Sequence, residues 1–166
     1  RDALLKVPGG TMFELGCHLI DALVTIMGPP SDVVPFVRAT LSHRDALADN
    51  MLAVLEYPKA TCTVRSSVLE VAGTERRQFV ICGTAGTLVI RPLERPRLQM
   101  ALDQRRGEFR RGYQDVPLAA MPGRYDNQLA EFADIVRGTT ESRYTTSHDL
   151  HVHETILKAA KMPPEG

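Results

Sequence analysis

From Thr11 to Met27 the apolar side chains Met12, Phe13, Leu15, Leu19, Ile20, Leu23, Val24, Ile26 and Met27 recur at helical intervals and cover most of a helix's circumference. The spacing predicts a helix buried on several sides. The polar positions left over, Thr11, Glu14, His18, Asp21 and Thr25, form one narrow stripe. Gly28-Pro29-Pro30 ends the pattern, because glycine accepts a left-handed cap and proline cannot continue the hydrogen-bond ladder. Beyond it the period drops to two. Residues 31–42, 51–57, 60–71, 78–82, 87–91 and 97–103 are short runs rich in Val, Ile, Leu and Thr, several of them alternating apolar and polar, and they predict strands. Residues 107–117 fit either one more edge strand or a loop, since Gly112 interrupts the run. The helical period returns at Tyr125, Leu129, Phe132, Ala133 and Val136, with Gly138 as the stop. It returns again over 146–161, where Thr146 can cap the start and Asp149 can face the positive end of the helix dipole.

The connectors settle the topology. Segments 57–60, 72–75 and 83–86 are turn-forming and far too short for a helical crossover, so the sheet is mainly antiparallel. An antiparallel sheet with helices gathered on one face is an α+β architecture, and any face left uncovered must meet water or a second subunit. At 166 residues the chain fits one domain, placed at 1–162, with 163–166 as a frayed tail.

Charge narrows the classes of function. Twenty basic and twenty acidic side chains cancel, so neither nucleic acid nor a membrane surface is expected as the main partner. No apolar run is long enough to span a bilayer and no charged-then-apolar leader opens the chain, which predicts a cytoplasmic protein. Cys17, Cys62 and Cys82 are an odd number without a CxxC pair, each in an apolar stretch where it can pack as a small hydrophobe. The chain opens on Arg1 rather than methionine and enters its first helix within about ten residues, so it is expected to be part of something longer.

The polar stripe carries the candidate chemistry. Glu14, His18 and Asp21 are spaced by four and then three residues, which stacks them along one helical face. A histidine between carboxylates is a general acid/base arrangement. A water-facing stripe usually carries lysine or arginine, yet no basic residue other than His18 occurs between Lys6 and Arg38, so the stripe reads as the wall of a cleft. A thin solvent seam, with His18 held by its acidic neighbours, is the other reading. His148, His151 and His153 do not have a zinc-signature spacing: only His148 and His151 share a helical face, with Glu154 beside them, and no metal is expected. Arg91, Arg95, Arg97, Arg105, Arg106, Arg110 and Arg111 lack interleaved aromatics beyond Phe109 and Tyr113, unlike a single-strand binding platform. They read as solvated strand edges, with anionic substrate or subunit contacts as the alternative. Tyr125 opens its helix and can reach a ligand or pack in the core.

The run Gly9-Gly10-Thr11-Met12-Phe13-Glu14-Leu15-Gly16-Cys17-His18-Leu19-Ile20-Asp21 is similar to the G-G-x-x-x-D-x-G-x-H-x-x-D segment that opens the C-terminal domain of the glucose-fructose oxidoreductase, inositol dehydrogenase and rhizopine catabolism (Gfo/Idh/MocA) family. Gly83-Thr84-Ala85-Gly86-Thr87-Leu88 resembles its G-T-x-G-x-L hairpin. Tyr125 to Gly138 resembles its Y-x-x-x-L-x-x-F-x-x-x-V-x-x-G helix, and Ser147-His148-Asp149 with Glu154-Thr155 the start of its final helix. The motifs follow the family's order along essentially the whole chain.

The resemblance implies an α+β domain of the glyceraldehyde-3-phosphate-dehydrogenase-like C-terminal type. It implies an oxidoreductase that uses NAD or NADP, bound mainly by an N-terminal Rossmann domain, on a CH–OH group of a sugar, polyol or related small molecule. Carried over, His18 is the substrate-contacting proton relay, and Glu14 and Asp21 are its orienting or substrate-binding partners. By position, His148 or Asp149 borders the substrate cleft. Two departures stand out. Glu14 replaces the family's usual Asp and is one methylene longer, and the chain has no G-x-G-x-x-G after a strand and no catalytic lysine of the N-terminal domain. The resemblance therefore implies a substrate-binding and oligomerisation half, inactive in redox chemistry alone and at least dimeric through its sheet. A non-catalytic ligand-binding or assembly module derived from such a domain is the alternative.

Overall fold

The computed structural model describes residues 1–119, 123 and 125–163. They divide into two compact units. The first comprises Arg1–Glu70 and the chain from Arg143 onward, and the second comprises Val71–Ser142.

In the first unit, β1 (Asp32–Arg38), β2 (Asn50–Tyr57) and β3 (Ala60–Ser67) form an antiparallel meander in that order. Its register places Val33 opposite Leu55 and Ala53 opposite Val64, so the alternation brings Val33, Met51, Ala53, Leu55 and Val64 to one face, all buried. Two helices cover that face: α1 (Cys17–Met27) through Ile20 and Val24, and α3 (Thr146–Ala159) through Ile156 and Ala159. Fully burying each of these larger aliphatic side chains stabilises the fold by about 1.5–3 kcal/mol. Gly28, at φ +76°, caps α1 by donating its N–H to the Val24 carbonyl, as the Gly-Pro-Pro stop requires. Tyr57 donates its hydroxyl to the Gly28 carbonyl at 3.1 Å and ties that end to the sheet.

The other end of α1 is more tightly built than its sequence suggests. Gly9 and Gly10 both have positive φ, and a Cβ on Gly10 would lie 2.6 Å from the Ala48 Cβ and 2.7 Å from its carbonyl oxygen. Only glycine permits that approach. Thr11, fully buried, donates its hydroxyl to the Ser66 carbonyl while Ser66 returns its own hydroxyl to the Thr11 carbonyl. The backbone then widens into a π-helical turn over Met12–Gly16 before regular α-helix begins at Cys17. Binary patterning does not register this turn, because one inserted residue barely disturbs an apolar pattern that already covers most of the helix.

In the second unit, β4 (Phe79–Gly83), β5 (Gly86–Ile90), β6 (Leu98–Leu102) and β7 (Gly112–Val116) form another antiparallel meander. The uncertain segment around Gly112 is an edge strand paired with β6, and Gly112 starts it at φ +83°. A Cβ on Gly86 would lie 2.4 Å from the Ala101 carbonyl oxygen, which explains glycine at the close of the β4–β5 hairpin. The unit ends with α2 (Asp126–Val136), whose Leu129, Phe132 and Val136 are exposed.

The α+β class and antiparallel pairing are as the sequence predicts, with two differences. The strands form two sheets rather than one, because β3 ends at Ser67 and residues 68–78 carry a left-handed Ala72 and a short 3-10 turn in place of a continuing ladder. Helices gather on one sheet face only in the first unit. Cys17 and Cys62 are half-buried, but Cys82 is exposed on β4. Met162 bonds its N–H to the Leu157 carbonyl, and of the tail expected at 163–166 only Pro163 is among the described residues.

Candidate functional site

The π turn and the first turns of α1 carry the predicted stripe. Glu14 sits in the π turn and is exposed, His18 follows on the first turn of α1 and is also exposed, and Asp21 lies three residues further on, half-exposed. π-Helical turns of this kind occur frequently at functional sites, because they shift side-chain register without breaking the helix. Cys17, between Glu14 and His18, points its thiol to the Glu14 carbonyl, and burial pushes that thiol up from its ordinary value. Cys17 is therefore protonated at neutral pH and is not a nucleophile.

Asp21 is bonded to a residue of α3. Its Oδ1 lies 3.0 Å from Nε2 of His148, on the first turn of α3. The sequence offers Asp21 two roles, orienting His18 or binding substrate; α1 and α3 pack together, and the bond the structure gives Asp21 is to the α3 imidazole. Among the described residues His18 makes no side-chain hydrogen bond or ion pair, which leaves its ring available to a ligand.

His148 is itself well placed. The α3 N-cap is Thr145, one residue before the Thr146 the sequence indicates; its hydroxyl accepts the His148 backbone N–H at 3.1 Å. Thr145 has extended backbone, as a cap requires, whereas Thr146 is already helical. The Tyr144 ring lies 5.7 Å from the His148 ring, tilted by 54°, and the Arg143 guanidinium lies 5.9 Å from the Tyr144 ring centre. One further pair, Phe13 edge-on to His153 at 6.4 Å, holds the π turn against α3. Tyr144 and Arg143 escape motif reading because they precede the helical period, in a segment without regular pattern.

The structure thus brings Glu14, His18, Asp21 and His148 onto the adjoining ends of two packed helices. Asp149 neighbours His148 in the first turn of α3 and is exposed. Tyr125, 56% exposed just before α2, stands in the second unit, whereas the other five predicted residues lie in the first. The seven arginines from Arg91 to Arg111 are all exposed. Among the described residues no group of three or more His, Cys, Asp or Glu could hold a metal ion, and no helix is long and apolar enough to cross a membrane. A pyrophosphate is commonly held at a parallel β–α–β crossover. Both sheets here are antiparallel meanders, and the described residues contain no such crossover.

One cluster lies outside any motif. Arg1 donates from Nε and Nη2 to both Asp45 carboxylate oxygens at 2.7 Å and from Nη2 to Asp49 at 3.0 Å. Asp49, fully buried, also accepts the backbone N–H groups of Thr40 and Leu41. Its role is structural: it fixes the loop between β1 and β2 that passes over Gly10.

Comparison with known proteins bears on the family and the fold. Residues 3–89 match the GFO/IDH/MocA C-terminal domain. The chain resembles in fold a protein from Klebsiella pneumoniae provisionally described as an oxidoreductase, at a TM-score of 0.68 and 20% identity over 92% of this chain and 46% of that one. It also resembles an oxidoreductase from Bacillus cereus, at 0.66 and 13% over 96% and 52%. A third likeness is to an NAD-binding protein from Listeria innocua, at 0.60 and 17% over 92% and 45%. The chain spans about half the length of these structures, and no curated protein matches it. With its opening motif, its hairpin glycines and most of its first seven strands and helices inside the matched span, the chain belongs to the GFO/IDH/MocA family as a C-terminal domain.

Proposed function

We propose that this chain is the substrate-binding domain of an NAD(P)-dependent oxidoreductase acting on a CH–OH group of a sugar, polyol or related small molecule. The observation that carries the proposal is His18, exposed and without a side-chain partner among the described residues, which lies with Glu14 and Asp21 inside the span matched to the family and beside the Asp21–His148 pair. The nicotinamide, held outside this chain, would take up the hydride. This chain's part is to hold the substrate hydroxyls on the Glu14 and Asp21 carboxylates and to receive the hydroxyl proton on the His18 ring. Glu14 reaches further than the shorter acid usual in the family, and the exposed π turn gives it room to do so.

The reading is tested on the chain itself by NMR titration with myo-inositol, sorbitol and glucose. The expected result is amide and side-chain shifts clustered at Glu14, His18 and Asp21. Shifts confined to the second unit, or none with any of the three, would count against it.

Self-association through a sheet belongs to the same proposal. In the second unit the register aligns Phe79, Ile81, Leu88, Ile90, Leu98 and Met100 on one face, and none of them is buried. A contiguous apolar surface of this kind is suited to a second copy. Sedimentation velocity should show a dimer or larger species that Leu88→Arg converts to monomer. A monomeric wild type would overturn this part of the proposal.

A further inference from the structure

Among the described residues, Asp21 alone of Glu14, His18 and Asp21 is hydrogen-bonded to another side chain, and what holds it is a second histidine. The His148 ring is largely enclosed, with 17% of its side chain exposed against 48% for Asp21, and its Nε2 sits 3.0 Å from Oδ1. Its backbone is fixed in turn by the Thr145 cap at 3.1 Å. Ring contacts from Tyr144 to His148 and from Phe13 to His153 pin the start of α3 and its packing on the π turn.

A half-exposed ion or hydrogen-bonded pair adds little to stability. A carboxylate on an exposed helix face, however, samples several rotamers unless something selects one, and aiming a charged group accurately is worth more to binding than to folding. We propose that His148 is a positioning residue: by holding Oδ1 of Asp21 it leaves Oδ2 aimed at the substrate, one helical turn from His18, to accept a substrate hydroxyl. The inference rests on the oxidoreductase reading above, and it replaces the direct substrate contact that the sequence suggests for His148 with action through Asp21.

Two measurements test it. Long-range nitrogen–proton correlation spectra of the chain report which ring nitrogen carries the proton. The expected pattern is a protonated Nε2 at His148, altered by Asp21→Asn; a neutral ring protonated only on Nδ1 would overturn the proposal.

The second measurement is steady-state kinetics of the full-length gene product. His148→Ala should raise KM by about tenfold, the loss expected when one charge-assisted hydrogen bond is no longer aimed, with kcat changed by less than about twofold. His148→Gln, whose amide N–H can reach Oδ1, should restore most of the loss. Adding His148→Ala to Asp21→Asn should cost little more than Asp21→Asn alone, because the two act as one unit. An active wild type whose KM is unmoved by His148→Ala, or a full additional tenfold loss in the double variant, would overturn the positioning role alone. A wild type inactive with both NAD and NADP would overturn the oxidoreductase reading itself.

Discussion

Replacement of His18 by alanine lowers kcat of the full-length gene product by a hundredfold or more, the loss expected when a general acid/base is removed. The expectation follows from what surrounds the ring. His18 is exposed, lies two residues after the end of the π-helical turn, and among the described residues has no side-chain hydrogen bond, so no structural bond is broken when its ring is removed. The buried side of α1 is built by Ile20 and Val24, which the substitution does not touch. The variant should therefore melt within about 1 °C of wild type, in keeping with the small effects of surface substitutions. Lost turnover with unchanged melting assigns the effect to chemistry. Turnover within tenfold of wild type would remove His18 from the mechanism.

Replacement of Asp49 by alanine lowers stability by about 3 kcal/mol, the scale of breaking a buried charge pair by removing one partner. For a chain of this size that is roughly a 10 °C fall in melting temperature. The side chain is fully buried and is held by Arg1 and by the backbone N–H groups of Thr40 and Leu41; the substitution leaves those two amides without this acceptor and Arg1 with Asp45 alone. Burial raises the Asp49 carboxyl, but the Thr40 amide and the Arg1 guanidinium outweigh it and hold it below its ordinary value; Arg1 also draws Asp45 down. A carboxyl depressed in the folded state contributes stability that is fully present above its unfolded value and is lost as pH falls through the folded value. Wild type should therefore lose stability below about pH 4, and Asp49→Ala should show a shallower loss there. Thermal melts across that range check both statements. A variant that melts with wild type at neutral pH would contradict the account of this loop.

Much of this fold is readable along the chain, for local reasons. Period-two runs with short turns cannot make parallel sheets, so the antiparallel pairing of β2 with β3 and of β4 with β5 follows from the segments at 57–60 and 83–86 without reference to tertiary contacts. Gly28 and Gly138 mark the ends of α1 and α2 because a positive φ there costs other residues energy. Other features depend on contacts far apart in sequence and leave little local trace. The separation into two sheets turns on a ladder that stops at Ser67, in a run whose composition would allow it to continue. The π turn hides inside a helix that is apolar almost all round.

The candidate site divides in the same way. Glu14, His18 and Asp21 are legible because one helix carries them. The bond from Asp21 to His148 joins positions 127 residues apart, and spacing within one helix cannot reveal it. His148 is recognisable as a helix-start residue, but its partner is set by how α1 and α3 pack. The Arg1–Asp45–Asp49 cluster is invisible for the same reason, being three charges among forty whose burial only the folded chain decides.

Under the proposed function, the surface around His18 receives a hydroxyl-bearing substrate for nicotinamide-linked oxidation. The direct measurement is reduction of NAD and of NADP by the full-length gene product over a panel of sugars and cyclic and acyclic polyols, run beside His18→Ala. The expected result is reduction with at least one member of the panel and its near-complete loss in the variant. Reduction that survives the substitution undiminished, or no reduction of either cofactor with any member of the panel, would contradict it.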